Sequence, residues 1–221
     1  MNAFAPLSCV PHSSKTKLLA AALQVIRSKG YSATTVDDVC AAAGVTKGSF
    51  FHHFSSKEDL AIQATRYWTA MTGDLFASAS YQNVANPRER ILAYIDFRAQ
   101  MVQGAAQENL ADVTCLLGTM VQETFDSHPA IRAACQEGID SHARTLVPMI
   151  EEAKALYAPL ADWDAENLAL YTQAALQGAF IIAKAQGNSA VAPQLMAHLH
   201  SYVKSLLTPG KSTSTPDTKA H

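Results

Sequence analysis

Thr46, Lys47, Ser49, His52 and His53 crowd one short stretch of the chain, and their hydroxyl, ammonium and imidazole groups are the donors that meet phosphate oxygens and base edges. They lie within TVDDVCAAAGVTKGSFFHHF, residues 35–54. That segment reads as a helix of about eight residues, a tight turn at Gly44 and a second short helix, Lys47 to His53. The pattern predicts a helix-turn-helix, whose second helix enters the DNA major groove while the first braces it across the backbone. Thr34 or Thr35 would cap the first helix, with Val36, Val39 and Cys40 facing inward, and Thr46 would cap the second. Ala41, Ala42 and Ala43 would let the two helices approach, Val45 would plug their junction, and one of Phe50 and Phe51 must point into the core.

Other chemistry is absent from the sequence. Cys9, Cys40, Cys115 and Cys135 are widely spaced without a C-x-x-C, so neither a disulfide framework nor a zinc site is indicated and the thiols should be free. His52 and His53 do not form a metal pair, because neighbouring helical residues diverge by about 100° and no third ligand is near in sequence. No histidine has Glu three residues before it, and there is no G-x-S-x-G, phosphate loop or dinucleotide fingerprint. No catalytic residue, metal or cofactor is therefore expected. Met1 to Ser14 lacks the features of a signal peptide, and no apolar run is long enough to span a membrane, which points to a cytoplasmic protein.

The elements that must position these groups follow from periodicity. Apolar residues recur at three and four spacings through most of the alanine-rich chain and strand signals are missing, so an all-α fold is expected. Leu18, Leu19, Ala22, Leu23 and Ile26 stripe a first helix that ends at Gly30. Ser55-Ser56-Lys57-Glu58 reads as a capping box, with Glu58 reaching back to a serine N–H, and opens a long fourth helix through Leu60, Ala64, Tyr67, Trp68, Met71 and Leu75. Further helices are expected at Pro87–Gln103, Glu108–Phe125, Pro129–Tyr157, Ala165–Gln186 and Ala190–Leu207, with a kink or break at Pro148. This divides the chain into a helix-turn-helix DNA-binding domain over 14–60, a second helical domain over 61–207, and disordered tails at 1–13 and 208–221.

Of the 221 residues, 17 are Lys or Arg and 19 Asp or Glu, for a net charge of −2. A basic footprint is therefore missing overall, but six basic and four acidic residues lie up to Leu60, leaving the excess of acid to the remainder. A small cationic head on an acidic body predicts few phosphate contacts per protomer and reliance on dimerisation.

With these motifs in hand, the segment from about Ser14 to Trp68 resembles the N-terminal domain of the TetR family of transcriptional regulators, through SKGYSATTVDDVCAAAGV, TKGSFFHHFSSKEDL and the long fourth helix in that order. The resemblance implies that Thr46, Lys47, Ser49 and His52 face DNA and that Thr35 and Lys57 touch phosphates, within a candidate set completed by Thr34, Val45, Gly48, Phe51 and His53. Phe51 stands where tyrosine is usual, which removes a hydroxyl. It further implies that 61–207 is a ligand-binding and dimerisation domain, with a homodimer on double-stranded operator DNA, repression, and release by an effector bound in that second half. For the dimer interface the candidates are Leu168, Ala175, Leu176, Ala179 and Phe180, then Leu195, His198, Leu199, Tyr202 and Leu206, whose faces suit a four-helix bundle. Trp68, Phe97, Met101, Phe125, His142, Tyr171 and Gln177 are candidate walls of the effector pocket. Cys115-Leu-Leu-Gly118, with the segment from Gln177 to Lys184, looks like the NemR-like subgroup, implying that Cys115 and Lys184 sense electrophiles or oxidants. A helical dimer that does not bind DNA, acting as a scaffold or ligand-binding protein, is the alternative from another class.

Overall fold

The computed structural model of the chain describes residues 13–106 and 114–208, and the described residues are helical throughout, without a strand. In chain order the helices are α1 (Ser14–Lys29), α2 (Val36–Ala43), α3 (Lys47–His53), α4 (Lys57–Ala77), α5 (Pro87–Ala106), α6 (Leu116–Thr124), α7 (Pro129–Tyr157), α8 (Ala165–Gln186) and α9 (Val191–Leu206), with one 3-10 turn at Ser80–Asn83. The expected tails lie outside the described residues, except Ser13, which caps α1, and Thr208, whose hydroxyl donates to the Lys204 carbonyl.

Short polar residues set the boundaries. Thr35 caps α2 in a reciprocal box with Asp38, and Gly44 ends α2 in the left-handed conformation. Thr46 caps α3 by accepting the Ser49 N–H at 3.2 Å. The box expected at Ser55–Glu58 is shifted by one residue: Ser56 accepts from the Asp59 N–H, and the Asp59 carboxylate, not Glu58, accepts from the Ser55 N–H. Two other expectations are corrected. The helix anticipated from Glu108 begins among the described residues only at Leu116, with Thr114 in a bend and Cys115 as the N-cap, while 107–113 lie outside them. Of the kink or break expected at Pro148, the break does not occur, because α7 runs through it to Tyr157. Proline has no N–H to donate to the carbonyl four residues before it, and the buried Leu146, Met149 and Ile150 on either side hold the helix in place.

Two apolar clusters organise the packing. One joins Leu18, Ile26, Val39, Phe50, Phe54 and Leu60 of the first four helices and continues through Trp68 to Leu116, Leu117 and Met120 of α6 and Ile131 and Cys135 of α7. The other joins α5, α7, α8 and α9 through Ile91, Tyr94, Ile95, Leu146, Ile150, Leu176, Met196 and Val203. Helix α6 thus packs against the head, although it lies far along the chain. Ala41 and Ala42, expected between the two helices of the motif, are exposed; Ala43 and Val45 carry the packing instead.

Candidate nucleic-acid interface and effector cavity

Helix α3 has two faces. Phe50 and Phe54, four residues apart, are fully buried with ring centroids 5.5 Å from each other, and they fix the helix to the head. The opposite face presents Thr46, Lys47, Gly48, Phe51 and His52 to solvent, with Val45, Ser49 and His53 half-buried beside them. Of the two adjacent phenylalanines Phe50 is therefore the core residue, and Phe51 is 59% exposed. The Thr46 oxygen accepts at the cap, which leaves its O–H able to donate. Lys47 pairs with Asp37 at 2.8 Å, and that hydrogen bond raises its pKa, so it is fully cationic. Both partners are well exposed, so a phosphate could replace Asp37 at little cost.

Four other candidates for DNA contact are engaged inside the protein. Thr34 is 1% exposed and donates its hydroxyl to the Gly30 carbonyl at 2.6 Å, which corrects the expectation that its side chain meets DNA. The Thr35 hydroxyl donates to Asp38 at 2.6 Å. His53 Nε2 lies 2.6 Å from the Ser14 hydroxyl. Lys57 donates to the carbonyls of Tyr31 and Thr34 at 3.2 and 3.0 Å and sits over the Tyr31 ring, strapping the turn between α1 and α2.

That turn is also held from the other half of the molecule. The Glu123 carboxylate, near the end of α6, accepts the N–H groups of Tyr31 and Ser32 at 3.2 and 2.8 Å. At the start of α6, Arg27 Nε donates to the Thr114 carbonyl at 3.1 Å. Both ends of α6 are pinned to the head, and between them Cys115 borders two cavities.

The first, of about 180 Å³, lies among α4, α5, α6, α7 and α8, with Trp68, Phe76, Leu117, Ile139 and Phe180 in its apolar lining and Arg98, His142, Gln173 and Gln177 in its polar lining. Its neighbour, also bordered by Cys115 and Gln177, reaches Glu123 and Lys184. Gly118 makes room on α6 for the Gln177 side chain of α8, whose amide a methyl group at that position would overlap. Burial, partly countered by Glu123, lowers the Lys184 pKa below that of an ordinary lysine. Cys115 is half-buried and free, whereas burial raises the Cys40 thiol and pushes Cys135 up to about 12.

Among the expected pocket residues, Trp68, Cys115, His142 and Gln177 line the first cavity. Four do not. Met101 is core, Phe97 packs half-buried against Phe76 and Tyr81, Phe125 is exposed at the end of α6, and Tyr171 is exposed against Tyr202. Sequence reasoning missed Arg98, Gln173 and the Glu123 clamp. The signal for Arg98 was present: it interrupts the buried stripe Ile91, Ile95, Val102 at spacings of four, three and four.

The expected dimer residues also divide. Leu168, Leu176, Ala179, Phe180 and Leu199 are buried within the protomer and belong to its own core, a correction; Ala175 and Leu206 are half-buried. Leu195, His198 and Tyr202 of α9 remain exposed, as do Leu170, Tyr171, Ile181 and Ile182 of α8, and the Tyr171 and Tyr202 rings meet with centroids 5.3 Å apart. No helix among the described residues is long and apolar enough to cross a membrane, and no group of three or more His, Cys, Asp and Glu is placed to hold a metal.

Comparison with known proteins follows the same division. Residues 18–64 match the family model described as bacterial regulatory proteins, tetR family, and residues 87–197 match the C-terminal domain of LmrA/YxaF-like transcriptional regulators. The transcriptional regulator AcuR of Cereibacter sphaeroides is 29% identical over 180 residues, covering 81% of this chain and 79% of that protein. Among solved structures, a TetR-family regulator from Agrobacterium tumefaciens superposes with a TM-score of 0.75 at 21% identity, over 87% of this chain and 98% of that one. Reduced Escherichia coli NemR superposes with a TM-score of 0.71 at 24% identity, over 90% and 100%.

Proposed function

Because the chain belongs to the TetR family of bacterial regulatory proteins, whose members generally act as ligand-responsive repressors through helix-turn-helix DNA binding, we propose that it is a homodimeric repressor released from a palindromic operator by an effector. The observation that carries this reading is the division of α3: two phenylalanines anchor it, and the face left open offers Thr46, Lys47, Phe51 and His52 to a groove. A seven-residue helix has little stability of its own, so a face with this much exposed polar chemistry and an exposed aromatic ring has DNA as its natural partner. The large apolar side chains left exposed on α8 and α9 support pairing with a second copy, which would set two α3 helices about 34 Å apart. An effector that favours a conformation in which α4 and α6 hold the heads at another spacing would shift the population off the operator. DNase footprinting of the DNA flanking the chain's own gene tests this: two protected half-sites about ten base pairs apart are expected, and an unprotected fragment at low salt contradicts it.

A second trigger is favoured by Cys115, which borders both cavities while Cys40 and Cys135 are buried with raised thiols. Addition of the Cys115 thiolate to a quinone or maleimide double bond would place a bulky group between α6 and α8. Operator release by quinones is expected to disappear in Cys115→Ser, and unchanged release would contradict the trigger.

A further inference from the structure

Arg98 is 9% exposed, lines the cavity among α4, α5, α6, α7 and α8, and has no carboxylate partner among the described residues. Its Nη1 makes only two long contacts, each of 3.4 Å, to the Tyr94 hydroxyl and to His142 Nε2. The guanidinium is otherwise held between the rings of Phe76 and Phe180, at 5.1 and 5.8 Å from their centroids. An arginine buried without an anion is a costly arrangement, because ring faces and neutral acceptors replace its hydration only in part.

The groups around it are built to leave that charge unanswered. Burial, reinforced by Arg98, lowers His142 to about 3, so the imidazole is neutral. The Tyr94 hydroxyl lies 2.9 Å from His142 Nε2 and accepts from Gln173 Nε2 at 3.1 Å. Arg98 can only donate to His142 Nε2, so that nitrogen is an acceptor and the tyrosine proton goes to it, and this network consumes no anionic group. Arg98 is thus the only permanently charged side chain lining the cavity among the described residues, and the remaining wall is largely apolar.

We propose that the cavity binds a small organic monocarboxylate, with Arg98 receiving the carboxylate and Trp68, Phe76, Leu117, Ile139 and Phe180 enclosing its apolar body. This rests on the reading of the cavity as the effector site. A single buried cation matches a single negative charge, whereas a phosphate dianion would call for further donors of positive charge. Size sets the upper bound: an apolar cavity of about 150 Å³ holds benzene, so about 180 Å³ accommodates a ring or short alkyl chain together with its carboxylate. Occupancy would bear directly on α6, because Thr114, Cys115 and Leu117 line the same cavity and Thr114 carries the carbonyl that Arg27 of the head contacts.

Isothermal titration of the full chain, without DNA, with butyrate, benzoate and their amides is the test. Since no DNA is present, the outcome is independent of whether the chain is a repressor, and a footprint without carboxylate binding would separate failure of this proposal from failure of that reading. At least one acid of the pair is expected to bind about tenfold or more tightly than its amide, a charge-assisted pair being replaced by a neutral contact. Arg98→Met is expected to abolish that preference, and Arg98→Lys, which keeps the charge without the fork, to restore part of it. Helicity and melting of each variant are measured alongside. Equal affinity for acid and amide, an acid preference that survives Arg98→Met in a folded variant, or no binding of either acid to the wild-type chain would overturn the proposal.

Discussion

Phe50→Ala is expected to destabilise the head by about 3–5 kcal/mol, enough to consume much of the roughly 5–15 kcal/mol that holds a domain of this kind folded. The side chain is fully buried, and it contacts Phe54 within a helix of seven residues that cannot persist on its own. Neighbouring apolar groups cannot close the gap, since the site is formed by helices from four separate positions in the chain. Urea unfolding followed by circular dichroism should show an early transition for the variant, and DNA binding should be lost with it. Phe51→Ala is the control: it removes an exposed ring, so stability should change by no more than about 0.5 kcal/mol while DNA affinity falls. Equal destabilisation by the two substitutions would show that the faces of α3 have been assigned wrongly.

Gly30→Ala is expected to cost at least about 3 kcal/mol, from two causes that a double-mutant cycle separates. The first is backbone: φ of 87° with ψ of 164° is a region essentially reserved for glycine, worth about 1–3 kcal/mol. The second is the clamp. A methyl group at Gly30 would overlap the Glu123 carboxylate, which must then leave the N–H groups of Tyr31 and Ser32, and hydrogen bonds to a charged acceptor are worth about 1.5–3 kcal/mol. In a Glu123→Ala background only the backbone cost should remain. Gly44→Ala provides the reference, because Gly44 is also at positive φ, 63°, but nothing lies within 4 Å of an added methyl, so about 1–2 kcal/mol is expected. If Gly30→Ala costs no more than Gly44→Ala, the tie between α6 and the head is not energetically significant, and α6 loses its place in the release mechanism.

These two residues mark where sequence reasoning succeeds and where it stops. Caps and turns are local, so Thr35, Gly44 and Thr46 were legible from neighbours three or four positions away. The clamp is not local: Glu123 and Tyr31 are 92 residues apart, and Arg27 and Thr114 are 87 apart, so nothing in either segment announces the other. An apolar helix face identifies burial but not its partner, which is why Leu176 and Phe180 could be read as interface when they belong to the protomer's own core, leaving Ile181 and Ile182 outside. The serine box slid by one residue because Ser55 and Ser56 are chemically equivalent candidates, and Glu58 and Asp59 are too. Arg98 was the missed opportunity, since a cation within a buried stripe needs an explanation wherever it occurs.

The net charge of −2 also bears on the proposed interface, because of its two candidate lysines Lys47 is well exposed whereas Lys57 is drawn inward to the turn. Affinity should then depend on a few contacts per protomer, doubled by pairing. Fluorescence anisotropy of the footprinted fragment, titrated with the full chain between about 50 and 300 mM salt, tests this most directly. The account predicts specific binding whose logarithm falls linearly with that of the salt concentration, and a Thr46→Ala, Lys47→Ala variant that binds at least about tenfold more weakly, with a slope shallower by about 1 per protomer. A folded double variant that binds with the same affinity and slope as the wild type, or a wild-type chain that binds no fragment at the lowest salt, would contradict it.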